Sequence, residues 1–102
     1  MDNTNNSYGL RKEVLDSIRS IAAADDVGCL KLFGSRARGD YRERSDIDLA
    51  VYGCPDFNDF SDALETDVWT LLQIDTVNMD KNPDRELIEE IDRDGVIIYE
   101  EI

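Results

Sequence analysis

Apolar side chains recur at helical spacing over residues 8–24, where Leu10, Val14, Ile18, Ile21 and Ala22 fall on one stripe. That spacing predicts an amphipathic first helix. Asp25-Asp26-Val27-Gly28 stops it, with Gly28 able to take the backbone through a turn. The period then changes. Cys29–Phe33 is a short apolar run, read as a strand, and Ile47–Tyr52 alternates so that Ile47, Leu49 and Val51 face a core. Gly53-Cys54-Pro55-Asp56 is a turn. A second helix is predicted over 58–70, with Phe60, Leu64, Val68 and, at its end, Leu71 facing inward. Residues 72–77 are apolar enough for a third strand. Asn82-Pro83 reads as a cap followed by proline at the first helical position. The helix it opens runs to about Asp94, buries Leu87, Ile88 and Ile91, and ends at Gly95, before a last strand over 96–99. The polar run 1–7 is expected to be frayed.

These elements describe one α/β domain spanning 1–102, with a small mixed sheet of about four strands and helices packed mainly on one face. Strand order and polarity do not follow from the pattern. At 102 residues the chain is long enough for one core, and 41% apolar content marks it as globular. No apolar run approaches a membrane span. The opening Met-Asp-Asn-Thr-Asn-Asn-Ser has no secretory pattern, so a soluble, cytoplasmic domain is expected. Cys29 and Cys54 lack CxxC spacing and the chain has no histidine, which makes free thiols the expectation and a zinc site not.

Net charge is −13, which disfavours direct binding to nucleic acid. The tail concentrates it: from Asp84 onward eight acids face two arginines. Such a face is solvated by default, and it is also suited to a basic partner.

One stretch breaks the acidic trend. Arg36, Arg38, Arg42 and Arg44 stand within nine residues, against only Asp40 and Glu43. Gly34-Ser35 precedes them at the end of the first strand, and Asp46 and Asp48 follow on the second. Glycine lets a backbone approach a ligand closely, and N–H groups after Ser35 would face an anion if a helical turn begins there. The arginines balance triphosphate charge. Asp46 and Asp48 share a strand face and repel unless a divalent cation lies between them, and hard, oxygen-ligated Mg²⁺ suits them, with substrate phosphates as further ligands. Taken singly these features are weak, since an Arg-rich loop is usually just exposed. Their order makes them a candidate site for a metal–nucleoside triphosphate. Asp75, between Ile74 and Val77, is either a water-facing acid on an edge strand or an acid with a task.

The string Gly34-Ser35, ten residues, Asp46-Ile47-Asp48 closely resembles the G-S-x10-D-x-D signature of the nucleotidyltransferase superfamily that includes DNA polymerase β. The wider run from Gly34 to Val51 resembles its minimal nucleotidyltransferase branch, whose domain is about this size. The resemblance implies the nucleotidyltransferase fold, with the site at one end of the sheet. It implies a third metal-site carboxylate on a later strand, for which Asp75 is the candidate and Asp67 and Asp80 are weaker ones. The nucleotide-binding set expected is Gly34, Ser35, Arg36, Arg38, Arg44 and Ser45. Two Mg²⁺ ions would be held by Asp46, Asp48 and Asp75, with ATP as substrate and AMP as the transferred group.

A domain this small has little surface for a second substrate, so the acceptor is expected on another chain. Members of the branch work as antitoxins beside a helical HEPN-type toxin and modify its tyrosine, which implies protein adenylylation, in a hetero- or homo-oligomer. Two other readings stay open: transfer to a small hydroxyl compound of the aminoglycoside kind, and a non-catalytic module that neutralises its partner by contact.

Overall fold

The computed structural model describes residues 8–101. The run 1–7, expected to be frayed, lies outside them. In chain order the elements are α1 (Lys12–Ala24), β1 (Cys29–Phe33), α2 (Ser35–Arg38), β2 (Ile47–Tyr52), α3 (Phe57–Asp67), β3 (Ile74–Asn78), a 3-10 turn (Met79–Lys81), α4 (Arg85–Asp94) and β4 (Val96–Glu100). All four expected strands are present.

The sheet order is β3-β2-β1-β4. β1 runs antiparallel to both β2 and β4, whereas β2 and β3 are parallel, with α3 as their crossover. The sheet is therefore mixed. Period-two alternation divides its side chains between two faces. Ile47, Leu49 and Val51 of β2 join Val14 and Ile18 of α1 and Phe60 and Leu64 of α3 in the main core. On the opposite face Ala50 packs with Phe33 and with Ile91 of α4. Thus α1 and α3 cover one face of the sheet and α4 part of the other.

Several boundaries moved for local reasons. The first helix starts at Lys12 rather than near Tyr8, because Tyr8 (φ 55°) and Gly9 (φ 72°) are left-handed and cannot continue a helix. Leu10 is buried all the same, from the extended approach. The left-handed residue in the turn after α1 is Asp26, not Gly28. Helix α3 is capped by Asp56, whose Oδ1 accepts from Asp59 N at 3.1 Å, and it ends at Asp67. With the helical period cut there, Leu71 does not reach the core; it is fully exposed, and Trp69 is 91% exposed. Asn82, at φ 52°, is the left-handed C-cap of the 3-10 turn rather than an N-cap, and α4 begins at Arg85 behind Asp84.

Asp80 has a purely architectural task. Its carboxylate accepts from Gly53 N at 3.0 Å and Cys54 N at 3.2 Å, fastening the turn after β2. Cys29 and Cys54 are free, half-buried thiols, pushed above the ordinary thiol range chiefly by burial. Among the described residues, no helix is long and apolar enough to cross a membrane.

Candidate active site

Strand β1 delivers Gly34 at its end, beside the start of β2. Gly34 adopts φ 76° and ψ −156°, a region open in practice to glycine alone. A Cβ there would overlap Asp48 Oδ2, so the backbone of residue 34 is packed directly on that carboxylate. One helical turn follows: Arg38 N donates to Gly34 O at 3.1 Å and Gly39 N to Ser35 O at 2.9 Å. Gly39, at φ 95°, closes the turn in the left-handed conformation and lets the chain reverse. Ser35 is thereby placed at the head of a tight turn, half-buried, next to the strand that carries Asp48.

Asp48 pairs in register with Asp75 across the parallel β2–β3 ladder. Partners in such a ladder sit about 4.8 Å apart at Cα and project from the same face. Asp46, two residues before Asp48 and exposed, continues that face beyond the strand end. Burial pushes the Asp48 carboxyl above its usual range, and Asp75, Asp46 and Glu90 add to the shift, while Arg38 opposes it. Asp48 is thus a desolvated carboxylate among other carboxylates, with too little positive charge nearby. Asp75 receives a 2.9 Å hydrogen bond from Gln73 Nε2, which orients it.

The donor chemistry suits a hard divalent cation: carboxylate oxygens on one face, under-neutralised and half-desolvated. Among the described residues no three such side chains are drawn into a ready-made cluster.

The arginines of the loop separate into distinct places. Arg36 turns inward and is 2% exposed. Its Nε donates to Ser45 O (3.1 Å), Nη1 to Tyr8 O (3.0 Å) and Nη2 to Glu43 O (3.2 Å), and the guanidinium lies over the Tyr41 ring at 5.0 Å. Burial lowers its affinity for the proton. These bonds hold the loop 41–45 against the segment leading into α1, and the guanidinium is not brought to the carboxylates. Ser45 belongs to the same loop: its Oγ accepts from Arg42 N at 2.7 Å. Arg38 lies on the carboxylate side, 3.3 Å from Asp40, 3.7 Å from Glu90 and 3.9 Å from Asp94. Arg44 is exposed and borders a separate open groove of about 890 Å³ that also reaches Asp46.

Glu90 was not singled out by sequence reasoning. Leu87, Glu90, Ile91 and Asp94 share one stripe of α4, and two acids on an otherwise apolar stripe were the available signal. Asp67 is the last residue of α3, and Asp80 is engaged with the turn after β2.

Comparison with known proteins bears on the family and the fold. The sequence model of the family described as "Polymerase beta, Nucleotidyltransferase" matches residues 16–101. A comparison with curated proteins found no match. Among solved structures, the chain is similar to a crystal structure of a toxin–antitoxin with AMP-PNP, at 19% identity and a TM-score of 0.67, over 85% of this chain and 73% of that one. It is also similar to a crystal structure of the toxin–antitoxin MntA-HpeT, a mutant with two aspartates, two positions apart, exchanged for glutamate. There the identity is 17% and the TM-score 0.64, again over 85% and 73%. At these identities the structural likeness establishes the fold.

Proposed function

The chain belongs to the polymerase β nucleotidyltransferase family, and on that premise we propose that it transfers AMP from Mg²⁺–ATP to a protein hydroxyl, a tyrosine of a HEPN-type partner toxin, and so acts as the antitoxin. The observation that carries this reading is the register of Asp48 and Asp75 on parallel strands, with the backbone of Gly34 seated against Asp48. It sets two acids and a close-approach backbone at one end of the sheet, where a triphosphate and an acceptor would meet.

In this proposal Asp46 and Asp48 would hold the magnesium ions, with Asp75 as the third carboxylate of the set. When bound, the metal supplies charge neutralisation and polarisation of the α-phosphate. The remaining work falls to the chain. Gly34 seats the backbone against Asp48, and the Ser35 hydroxyl at the head of the next turn donates to a phosphate oxygen. Arg38, exposed beside the carboxylates, balances charge on the departing pyrophosphate. The acceptor oxygen attacks the α-phosphorus as the bond to the bridging oxygen breaks, and Asp75, held by Gln73, takes the acceptor proton. Arg36 and Ser45 act at one remove, by fixing the loop that precedes Asp46.

Support for the nucleotide and the partner comes from the relatives. One was determined with AMP-PNP. The other carries exchanges at two aspartates spaced as Asp46 and Asp48 are. Both are toxin–antitoxin structures. The test is transfer of label from α-labelled ATP with Mg²⁺ to the protein encoded beside this chain. Label on a tyrosine of that protein, lost in Asp48→Asn, is the expected result. A tight complex that never acquires label would replace this reading with neutralisation by contact, and label that persists in Asp48→Asn would overturn the site assignment.

A further inference from the structure

Trp69 and Leu71 are large apolar side chains left almost wholly in water. They stand in the connection between α3 and β3, at the sheet end that carries Asp46 and Asp75. Together with Leu10 and Val14 from the first helix and its approach they line the open groove of about 890 Å³, whose other boundary includes Arg44 and Asp46. Isolated exposed apolar residues need no explanation, but two of this size along one groove form a patch of the kind that marks an interaction site.

The position of the patch and the charge around it narrow what it takes. Asp46 lines the groove, whereas Gly34, Ser35, Asp48 and Asp75 do not, so an occupant of the groove meets the candidate active site at Asp46. The chain as a whole carries −13, which repels nucleic acid and attracts a cationic protein. The groove itself is an island within that field, its two arginines, Arg11 and Arg44, set against Glu43 and Asp46. An apolar centre with a charge-balanced border is the anatomy of a protein interface.

We infer that the Trp69–Leu71 groove docks a basic protein partner through an apolar or aromatic side chain, placing that partner's hydroxyl at the site beside Asp46. The inference rests on the transfer reading for the chemistry after docking, but docking itself is measured separately from transfer. Both residues are exposed, so replacing them leaves the core packing unaltered.

The experiment compares wild type, the double variant Trp69→Ser/Leu71→Ser, and Asp48→Asn, each titrated by calorimetry with the protein encoded beside this chain and, separately, with Mg²⁺–AMP-PNP. Docking predicts that the double variant binds the neighbour about tenfold or more weakly, and binds AMP-PNP as wild type does. Trp69 is the only tryptophan in the chain, so its emission reads the groove directly and should not change when AMP-PNP binds. Asp48→Asn should retain the neighbour's affinity while losing transfer. Loss of transfer to the neighbour without loss of the neighbour's binding in the double variant would overturn the inference. So would unaltered binding of the neighbour, wild type that does not bind it, weakened AMP-PNP binding with a quenched Trp69 (the groove would then hold the base), or self-association that disappears in the double variant (a second copy would be the occupant). Failure of the transfer reading looks different: transfer is absent or survives Asp48→Asn, while the neighbour's affinity still depends on Trp69 and Leu71.

Discussion

Gly34 and Asp48 are in such close contact that any side chain at residue 34 would occupy the position of the Asp48 carboxylate. The glycine is required twice, by its φ of 76° and by the absence of room for a Cβ. Gly34→Ala should therefore destabilise the fold by about 1–3 kcal/mol and also displace the carboxylate. Thermal denaturation and the transfer assay read the two effects. A variant with wild-type Tm and wild-type transfer would show that the contact is dispensable.

Asp48 gives a prediction with opposite signs for stability and activity. Its folded-state carboxyl is raised above the ordinary 3.8, first by burial and then by Asp75, Asp46 and Glu90. A raised acid contributes stability that is fully present below its unfolded value and is lost as pH rises through the folded one. At neutral pH the ionised group therefore opposes folding. Asp48→Asn should raise the Tm of the metal-free protein at neutral pH, and the gain should shrink on acidification as wild type becomes protonated. Transfer should fall about a hundredfold or more. A lower Tm at neutral pH would contradict the electrostatic account.

Arg36 and Arg38, two residues apart, should respond differently to replacement. Arg36→Ala removes the donor of three part-buried hydrogen bonds, to the carbonyls of Tyr8, Glu43 and Ser45, at a cost of about 3 kcal/mol. Arg36→Lys should recover little of it, since an ammonium cannot span three acceptors in that fork. Arg38 is 39% exposed and its ion pairs are long, so Arg38→Ala should move stability by less than about 1 kcal/mol. The expected loss is instead in nucleotide handling, read as a raised KM for ATP with little change in Tm.

Magnesium should act as a folding ligand. If Asp46 and Asp48 hold it, saturating Mg²⁺ should raise wild-type Tm by several degrees, on the order of 5 °C, and a chelator should reverse the rise. Asp46→Asn and Asp48→Asn should each show a smaller response. An equal rise in wild type and both variants would locate the cation elsewhere.

Much of the site could be read in advance because its parts are local. The alternation in Ile47–Tyr52 set Ile47, Leu49 and Val51 toward the core, and all three lie in it, with Asp48 between them only half-buried. Gly34-Ser35 was expected at a strand end, where it lies, and the helical turn that was made a condition is supplied by α2. The arginines were a different matter. Sequence showed four charges in nine residues but not their directions, and Arg36 proved to be the most buried polar residue described. The exposure of Trp69 and Leu71 was hidden for a similar reason: helical spacing continues past Asp67 on paper, while the Val68 backbone is already extended at ψ 120°.

The sequence by itself determined the elements, the family signature and the order of glycine, arginines and aspartates, because each depends on neighbours within a turn of helix or a few strand residues. Tertiary structure alone decided that β2 pairs in parallel with β3, that Asp48 stands level with Asp75, and that Glu90 and Arg38 from distant segments share their surroundings. Register and charge environment are set by which faces bury together. That competition among apolar surfaces is settled across the whole chain, and no local pattern encodes its outcome.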